Sequence, residues 1–447
     1  MTVNDYKTTY PCHNRNVYPP MINTLVFEDD LVQQLAPITT GRLAYAVTCA
    51  SYRLIDFLLP IAGPTVGLVR PYMQATQEND FGEVESQLNN ELPWTLIVNA
   101  RLVPSVASLQ QLEALVAITG ATAATETVWL TADDTLAAAI VPTESLSEDN
   151  QHWLAVANSI VGKEGVARLS NEKNAAKEAE LFCYPHDVIL KNLSVFKDNL
   201  AHRIRVGHYQ EQSFGVYLGK DVTVASHVVF DSSRGPIVID DNAKIGPFSF
   251  LRGPIYLGPN VETSEHSSIK DEVSISRYCK IGGEVEGVVI EPYTNKKHYG
   301  FLGHSYLGSW INLGAGTSNS DLKNTYGLIN MTYGERKVST GSQFVGCVIG
   351  DYSKTAINTS IFTGKTIGVG SMVYGVATTN VPSFVNYARS FGQLGELPPA
   401  VVSTTQQRMF VRRAREQRPC DIQLIEDMFR LTASERPADL SADPIDL

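Results

Sequence analysis

The sequence contains no run of 18 apolar residues, the length that a membrane-spanning helix requires. Its first residues, MTVNDYKTTYPCHNRN, lack the apolar stretch of a secretory signal, so we do not expect them to form one. Basic residues are in deficit, with 36 Lys and Arg against 47 Asp and Glu, and the net charge is −11. This balance argues against a nucleic-acid partner, and an anionic ligand would need a local cluster of basic side chains.

Cysteine pairs with metal-binding or redox spacing are also absent. The six cysteines lie far apart and form no C-x-x-C motif, which argues against a disulfide framework and a zinc knuckle. They are Cys12, Cys49, Cys183, Cys279, Cys347 and Cys420. This usage predicts a reduced, cytoplasmic protein.

The composition is that of a globular protein, with 43% hydrophobic and 19% charged residues in 447. This length can bury a large core and favours two to four domains. We predict a polar arm at 1–20, an α/β domain at 21–205, a β-helix at 210–386, and a helical extension with a loose acidic tail at 387–447.

In the α/β domain, short apolar runs alternate with helical patterns. We predict strands at 23–27, 54–57, 96–99 and 128–130, helices at 108–118 and 134–140, and a polar helical stretch at 171–180. Strands that alternate with helices indicate an α/β domain with a mainly parallel sheet.

From about residue 215, aliphatic residues recur every six positions, and glycine often follows them. Seven of the eight residues in the first register are aliphatic: Ile239, Ile245, Leu251, Leu257, Thr263, Ile269, Ile275 and Ile281. Shorter registers contain Leu307 and Leu313, and then Ile349, Thr355, Ile361, Ile367 and Val373. Period six predicts a parallel β-helix whose aliphatic residues point inward, with the following small residue at a corner where a positive φ or close backbone approach favours glycine.

Two stretches break this period, at 286–301 and 318–338, and we expect both to form loops on one side of the solenoid. Two helices are predicted after it, at 403–417 and 420–432, separated by Pro419. Five arginines lie close together there: Arg408, Arg412, Arg413, Arg415 and Arg418. They either form a solvated helical face or hold ligand phosphates or a neighbouring subunit.

Residues 298–317, HYGFLGHSYLGSWINLGAGT, carry a family resemblance. This segment resembles the acetyltransferase site of the bifunctional N-acetylglucosamine-1-phosphate uridyltransferase/glucosamine-1-phosphate acetyltransferases. The block 295–327 is still more similar to a divergent branch of this family, the sugar nucleotidyltransferases. The resemblance implies a left-handed coil with three hexapeptides per turn, a homotrimer, and acyl-CoA bound between neighbouring coils.

The resemblance also implies roles for individual residues. His298 is the general base, Asn312 orients the amine or acyl group, and Arg252 binds a phosphate. Gly314, Ala315, Gly316 and Thr317 face acetyl-CoA. The chemistry agrees with these roles, because N-acylation needs a base near neutral pKa and N–H donors for the oxyanion.

The segment departs from the family pattern at the acceptor side. The family's sugar-binding tyrosine is Phe301 here, and its phosphate-binding lysine pair has no clear counterpart. Lys296 and Lys297 either replace that pair or are solvated loop lysines, and Lys323 can serve either ligand. The acceptor can therefore differ from glucosamine 1-phosphate.

The α/β domain lacks the glycine-rich phosphate loop of sugar nucleotidyltransferases. As in the divergent branch, an acidic turn at Asp29 and Asp30 precedes LAPITTGR, which ends at Arg42. We expect Asp29 and Asp30 to bind Mg²⁺, with Arg42 and Arg101 at the nucleotide phosphates. The alternative is a capped turn with surface charges.

Taken together, the sequence predicts a two-domain sugar-phosphate transferase with acetyl-CoA as co-substrate. The first alternative is a non-catalytic trimer that binds nucleotide sugars. The second is a γ-carbonic anhydrase-like enzyme, which would need three histidines around a metal, and His266, His298 and His304 are available.

Overall fold

The computed structural model describes residues 21–61, 63–120, 126–146, 167–169, 178–438 and 440. The arm at 1–20, most of the stretch at 171–180 and most of the tail therefore lie outside the described residues. The chain divides into two compact units. The first comprises 1–32, 42–47 and 52–183, and the second comprises 33–41, 48–51 and 184–447. The domain boundaries expected from the sequence stay predictions.

The first unit contains a seven-stranded sheet in the order β3-β2-β1-β4-β6-β5-β7. Its strands are β1 (Asn23–Phe27), β2 (Thr65–Leu68), β3 (Val84–Glu85), β4 (Trp94–Asn99), β5 (Thr127–Leu130), β6 (Leu136–Pro142) and β7 (Ala167–Arg168). Its helices are α1 (Leu54–Leu58), α2 (Gln74–Asp80) and α3 (Val106–Ile118). Only β6 runs antiparallel to its neighbours, so the mainly parallel α/β sheet is confirmed within the described residues.

Two secondary-structure predictions in this unit are wrong. The run at 54–57 is a buried helix, α1, and the run at 134–140 belongs to strand β6. A short apolar run has no period that separates a buried helix from a buried strand. In β6, neighbouring strands on both sides override the helix propensity of its alanines.

The second unit begins with helix α4 (Pro185–Val206) and continues into a parallel β-helix. Face A contains Gln210–Ser213, Val216–Leu218, Ile237–Ile239, Ile255–Leu257, Val273–Ile275, Val289–Ile290, Tyr306–Leu307, Cys347–Ile349 and Lys365–Ile367. Face B contains Thr223–Val224, Lys244–Ile245, Glu262–Thr263, Lys280–Ile281, Asn295–Lys296, Asn312–Leu313, Lys354–Thr355, Met372–Val373, Val385–Ala388 and Gln393–Glu396. Face C contains Val229–Asp231, Phe250–Arg252, Ser268–Lys270, Glu284–Glu286 and Phe301–Gly303, then Ser318–Asn319, Ser360–Ile361 and Val376–Ala377.

The strand register confirms the hexapeptide interpretation. Ile239 pairs with Leu257 and Leu257 pairs with Ile275, so one turn of the coil takes three hexapeptides. The inward aliphatic residues form one continuous core along the solenoid. This core stabilises the coil through apolar burial, and the strand ladder satisfies its backbone.

Glycine was expected at the corners for a positive φ or for close backbone approach, and only close backbone approach is confirmed. A Cβ on Gly282 would lie 1.9 Å from the Lys297 carbonyl oxygen, yet the φ of Gly282 is not positive. The left-handed position usually comes three residues after the aliphatic one, and side chains other than glycine often occupy it. Examples are Asn242, Asn260, Tyr278, Tyr293, Trp310 and Tyr352.

The two breaks in the period differ. Around 286–301 the turn is merely shorter than three hexapeptides, because Ile275 pairs directly with Ile290, so the loop expected there is wrong. At 318–338 an insertion is confirmed, because Leu307 pairs with Ile349, which lies more than two ordinary turns further along the chain. The insertion contains an antiparallel hairpin of Asn330–Tyr333 and Arg336–Ser339.

Two helices follow the β-helix, as predicted, although their bounds differ. Helix α5 is Pro399–Val411 and helix α6 is Pro419–Leu431. Pro419 begins α6, where its fixed φ suits the first helical turn. No helix in the described part of the chain is long and apolar enough to cross a membrane.

Candidate functional site

A stack of aromatic side chains at one corner of the solenoid fixes the position of α5. Tyr278, Tyr293 and Trp310 stack on successive coils with ring centroids 5.1 and 4.3 Å apart, and Phe410 packs on Trp310 at 4.5 Å. Arg415 also donates a hydrogen bond to the Tyr293 hydroxyl at 2.7 Å. Helix α5 is thereby held beside face B. Aromatic residues at corner positions are the only feature of the sequence that hints at this packing.

A cleft of about 570 Å³ lies between face B and α5. Its lining combines His298 and Asn312 with five basic side chains, and no carboxylate among the described residues lines it. The lining residues are Lys280, Tyr293, Asn295, Lys297, His298, Trp310, Ile311, Asn312, Leu313, Lys354, Met409, Arg412 and Arg413. The predicted base His298, the predicted orienting residue Asn312 and two members of the arginine cluster therefore line the same cleft.

A row of outward side chains on face B supplies the polar floor of this cleft. The Asn295 Nδ2 donates to Asn312 Oδ1 at 3.4 Å, and Arg413 Nη2 donates to Asn295 Oδ1 at 2.7 Å. Lys354 pairs in register with Asn312, and burial lowers the pKa of its ammonium to about 8. Asn312 is thereby connected to the guanidinium of Arg413 through one amide.

Lys296 does not take the substrate-binding place expected for it. Its strand turns the side chain into the coil interior, where it is only 2% exposed. Its Nζ donates to the carbonyl oxygens of Gly282 (2.9 Å) and His298 (2.7 Å). The prediction that Lys296 contacts a sugar phosphate is therefore wrong, whereas Lys297 is exposed in the cleft.

The buried Lys296 ammonium makes stability depend on pH. Burial lowers its pKa from 10.5 to about 8, so between these values the unfolded chain binds more protons than the folded chain. When the pH is raised from 8 to 10.5, the free energy of unfolding of the wild type therefore increases relative to that of Lys296→Met. The increase is on the order of 3 kcal/mol, because each unit of pKa difference corresponds to about 1.4 kcal/mol. Urea denaturation of both proteins across this pH range measures the difference. The contribution of Lys354 to the pH dependence cancels, because both proteins retain Lys354. Parallel pH profiles would contradict the prediction.

The backbone of 314–317 offers fewer free donors than expected. The Gly314 N–H bonds to Thr355, the Gly316 N–H donates to the Tyr299 carbonyl at 3.0 Å, and the buried Thr317 hydroxyl contacts Thr355 at 2.7 Å. The Gly314 N–H, the Gly316 N–H and the Thr317 hydroxyl are therefore not free donors for an oxyanion, and contact of residues 314–317 with acetyl-CoA stays a prediction. In the described part of the chain, the Ala315 N–H has no hydrogen-bond acceptor.

The acceptor-side residues do not gather around His298. Arg252 lies at the far end of its face C strand and forms an ion pair with Asp271 at 2.6 Å. Phe301 is half-buried on the same face, paired in register with Glu284. Lys323 lies in the insertion, where its Nζ donates to the Leu328 carbonyl at 2.6 Å.

A second histidine has the better-defined partner, which sequence reasoning missed. His304 Nδ1 lies 2.8 Å from Asp321 Oδ2. His304 lines a separate cleft of about 510 Å³ with Lys197, Ser233, Arg234, Asp271, Glu272 and Glu286. The spacing of His304 and Asp321 along the chain equals that of the paired Asn295 and Asn312, so this spacing was an available signal.

In the first unit, the acidic turn is tied into ion pairs. The Asp29 carboxylate accepts from Arg101 Nε (2.7 Å), Arg101 Nη2 (2.6 Å) and Asn99 Nδ2 (2.8 Å). Glu28 is likewise paired with Arg70 at 2.8 Å. Asp29 and Arg101 were both expected at a nucleotide, and here they bind each other.

The remaining acidic side chain is Asp30, which is exposed and has no ion pair among the described residues. Arg42 is half-buried, and its carbonyl accepts from Arg70 Nη2 at 2.7 Å. No group of three His, Cys, Asp or Glu side chains in the described ranges is arranged to share a metal ion. Within these ranges, His266, His298 and His304 thus form no shared metal site of the carbonic anhydrase kind. Metal binding by Asp29 and Asp30, which are two carboxylates only, stays a prediction.

Comparison with known proteins finds similarity over parts of this chain. Residues 24–204 match the family described as sugar nucleotidyl transferase. The resemblance inferred from the sequence is confirmed. A bifunctional sugar-1-phosphate nucleotidylyltransferase/acetyltransferase of Sulfurisphaera tokodaii is 28% identical over 149 residues, which are 33% of this chain and 37% of that protein. The bifunctional protein GlmU of Synechococcus elongatus is 31% identical over 165 residues, 36% of this chain and 28% of GlmU.

The chain thus spans about a third of the length of the curated relatives it matches. Among solved structures, the polysialic acid-specific acetyltransferase NeuO aligns with 45% of this chain and 99% of its own, at 14% identity and a TM-score of 0.25. The UDP-N-acetylglucosamine acyltransferase of Francisella novicida aligns with 49% of this chain and 92% of its own, at 15% identity and a TM-score of 0.24. Scores this low carry no argument, and the β-helix rests on its own strand register.

Proposed function

We propose that the protein is a two-part sugar-phosphate transferase. The β-helix transfers an acyl group, acetyl in the simplest case, from acyl-CoA to an amino-sugar phosphate. The α/β unit forms a nucleotide sugar from a sugar 1-phosphate and a nucleoside triphosphate. The relative from Sulfurisphaera tokodaii is named as a sugar-1-phosphate nucleotidylyltransferase and an acetyltransferase, and the chain covers only a part of it.

The observation that carries the acyl-transfer proposal is the cleft under α5. Of the residues that the structure describes, five basic side chains and no carboxylate line it, in a protein whose net charge is −11. Such a local excess of cations favours a phosphorylated ligand, and CoA carries several phosphate groups. His298 and Asn312 lie in the same cleft, so the donor and the acid–base groups share one site.

In the proposed reaction, the acceptor amine attacks the thioester carbon while a ring nitrogen of His298 takes the proton of that amine. Asn312 orients the amine or the acyl oxygen. The Ala315 N–H is the backbone donor left to stabilise the oxyanion. The C–N bond forms, the C–S bond breaks, and the CoA thiolate leaves and takes up a proton.

The acceptor phosphate is proposed to contact Lys297, the one acceptor-side residue that lines the cleft with His298. Contacts of the acceptor with Arg252, Phe301 and Lys323, which do not gather around His298, stay predictions from the resemblance. Arg252 is already paired with Asp271, so a phosphate there competes with a carboxylate. Phe301 offers an apolar ring where a hydroxyl would bind sugar. These features favour an acceptor other than glucosamine 1-phosphate within the class of amino-sugar phosphates.

Arg412 provides the direct test of the donor site. It lies directly after the end of α5 and lines the cleft, whereas Arg408, in the last turn of α5, does not line it; both side chains are exposed. We expect Arg412→Ala to raise the Kd for acetyl-CoA about 10-fold or more, the value of one charge-assisted hydrogen bond. Arg408→Ala serves as the matched control and should stay within two-fold. Calorimetric titration of the full chain decides, and equal losses in the two variants would point to a merely solvated arginine face.

For the α/β unit, we propose a nucleotide site at the carboxyl ends of β1 and β4. The strand order reverses there, because β2 and β4 lie on opposite sides of β1. Mg²⁺ needs only one or two protein carboxylates when substrate phosphates complete its shell, and Asp30 is the carboxylate at hand. Arg42 is proposed to face the phosphates.

We further propose a homotrimer. Large apolar side chains remain exposed on and beside face C, including Val229 (55%), Phe248 (54%), Ile357 (68%) and Phe362 (51%). Contact with further copies would remove this surface from water. Sedimentation velocity should give three times 48.9 kDa at micromolar concentration, and a monomer there would refute the proposal.

The non-catalytic alternative, a trimer that only binds nucleotide sugars, predicts no CoA binding and no turnover with any acceptor. Acetyl-CoA binding accompanied by CoA release in the presence of an amino-sugar phosphate would reject it. The cytoplasmic location expected from cysteine usage stays a prediction.

A further inference from the structure

Lys296 occupies a position that is otherwise apolar. It belongs to the inward column of face B, where Ile281 precedes it in register and Leu313 follows on the next coil. These neighbours are 0% and 4% exposed, and Lys296 itself is 2% exposed. Burying an ammonium is costly unless its hydrogen bonds are satisfied. The chain bears this cost at the residue two positions before His298.

One of the two bonds made by Lys296 has a structural explanation. At this corner of other coils, a hydroxyl three residues later caps the carbonyl that follows the inward residue. Ser249 caps Gly246 (2.8 Å), Ser267 caps Ser264 (2.6 Å), and Thr359 caps Ala356 (2.9 Å). The coil through Gly282 has Val285 at that place, so Lys296 Nζ supplies the missing donor at 2.9 Å.

The second bond, to the His298 carbonyl at 2.7 Å, is not needed for that cap. It acts on the corner between faces B and C, residues 297–300, which carries the proposed base. From the other side, the Gly316 N–H holds the neighbouring Tyr299 carbonyl at 3.0 Å. The His298 imidazole is exposed and makes no side-chain hydrogen bond among the described residues, so its backbone decides where it points.

We propose that Lys296 is a positioning residue for His298, holding the backbone of the proposed base from inside the coil. This inference rests on the proposed acyl transfer. A misplacement of about 1 Å can reduce turnover by about 10²-fold, so a hydrogen bond that fixes this corner affects the rate without contacting any ligand.

The test replaces Lys296 by Met in the full chain. Methionine keeps the length of the side chain and suits the apolar column, but it cannot donate to His298. We expect kcat for acyl transfer to fall about 10–10²-fold, with the KM for acetyl-CoA within two-fold of the wild type. Ser267→Ala is the matched control, because it removes the corresponding carbonyl cap one coil earlier and should leave kcat unchanged.

A second readout separates positioning from a structural role. In ¹³C-labelled protein, the His298 ring signal is assigned by its loss in His298→Gln. It should move or broaden in Lys296→Met and stay in place in Ser267→Ala. If Lys296→Met does not fold, Lys296→Leu, which copies the neighbouring Leu313, takes its place.

The His298 ring signal and the kcat of the Lys296 variant together decide the proposal. An unchanged His298 signal in the Lys296 variant overturns the inference, whether or not kcat falls, and so does a wild-type kcat. If the wild type transfers no acyl group, the proposed function fails, and the ring signal still shows whether Lys296 positions His298.

Discussion

Replacing His298 by alanine is expected to lower kcat for acyl transfer by about 10²–10⁴-fold, the usual contribution of a positioned general base. Binding of acetyl-CoA should be nearly unchanged, because the base takes its proton from the acceptor and is not proposed to contact CoA. The fold should survive, since His298 is exposed. Steady-state kinetics with an amino-sugar phosphate, together with calorimetric titration of acetyl-CoA, measures both quantities.

His304→Ala is the matched control for this prediction. His304 directly follows the next strand of the chain, Phe301–Gly303, is bonded to Asp321, and lines a different cleft from Asn312. We expect a much smaller loss of kcat than in His298→Ala. Wild-type turnover in His298→Ala would reject His298 as the general base. A larger loss of kcat in His304→Ala than in His298→Ala would assign the base to the His304–Asp321 pair instead.

Replacing Asp29 by alanine is expected to destabilise the α/β unit by about 3–5 kcal/mol, because it leaves a buried guanidinium without its partner. Arg101 is 1% exposed on its side chain, and Asp29 accepts two of its N–H groups. Hydrogen exchange of the full chain, read in peptides that cover β1 and β4, measures the loss locally. Unchanged protection of these strands would show that the ion pair contributes little.

Asp30→Ala is the companion variant, in which we expect activity to change and stability to stay nearly the same. Asp30 is exposed, so the substitution should change stability by no more than about 0.5 kcal/mol. If Asp30 binds Mg²⁺, magnesium-dependent pyrophosphate release should fall in this variant. Release that stays at the wild-type level would reject Asp30 as the metal ligand.

The β-helix shows what a six-residue period in the sequence can predict. An inward residue every six positions sets the coil, and the observed pairing of Ile239, Leu257 and Ile275 follows from it. The prediction of a loop at 286–301 failed because a coil can shorten by half a hexapeptide and still pair its strands. Counting along the chain detects the break in the period but not whether the backbone bulges or tightens.

Lys296 and Asp29 show why the roles of charged candidates are harder to predict. Both have the residue type that binds substrate or metal, and both are instead committed inside the protein, to two carbonyls and to Arg101. A sequence shows donors and acceptors without their partners. The partners of Asp29 are 70 and 72 residues away, and only the pairing of β1 with β4 brings them close.

The sequence by itself determined the fold class, the hexapeptide coil, and the segment of 298–317 that carries His298 and Asn312, because these depend on local periodicity and on contiguous motifs. Only the tertiary structure decided that Arg412 and Arg413 join that segment in one cleft, that Lys296 points inward, and that Asp29 is paired. Which polar groups remain for a ligand depends on contacts between residues far apart in the chain. Those contacts are set by coil register and strand order, and no local pattern encodes them.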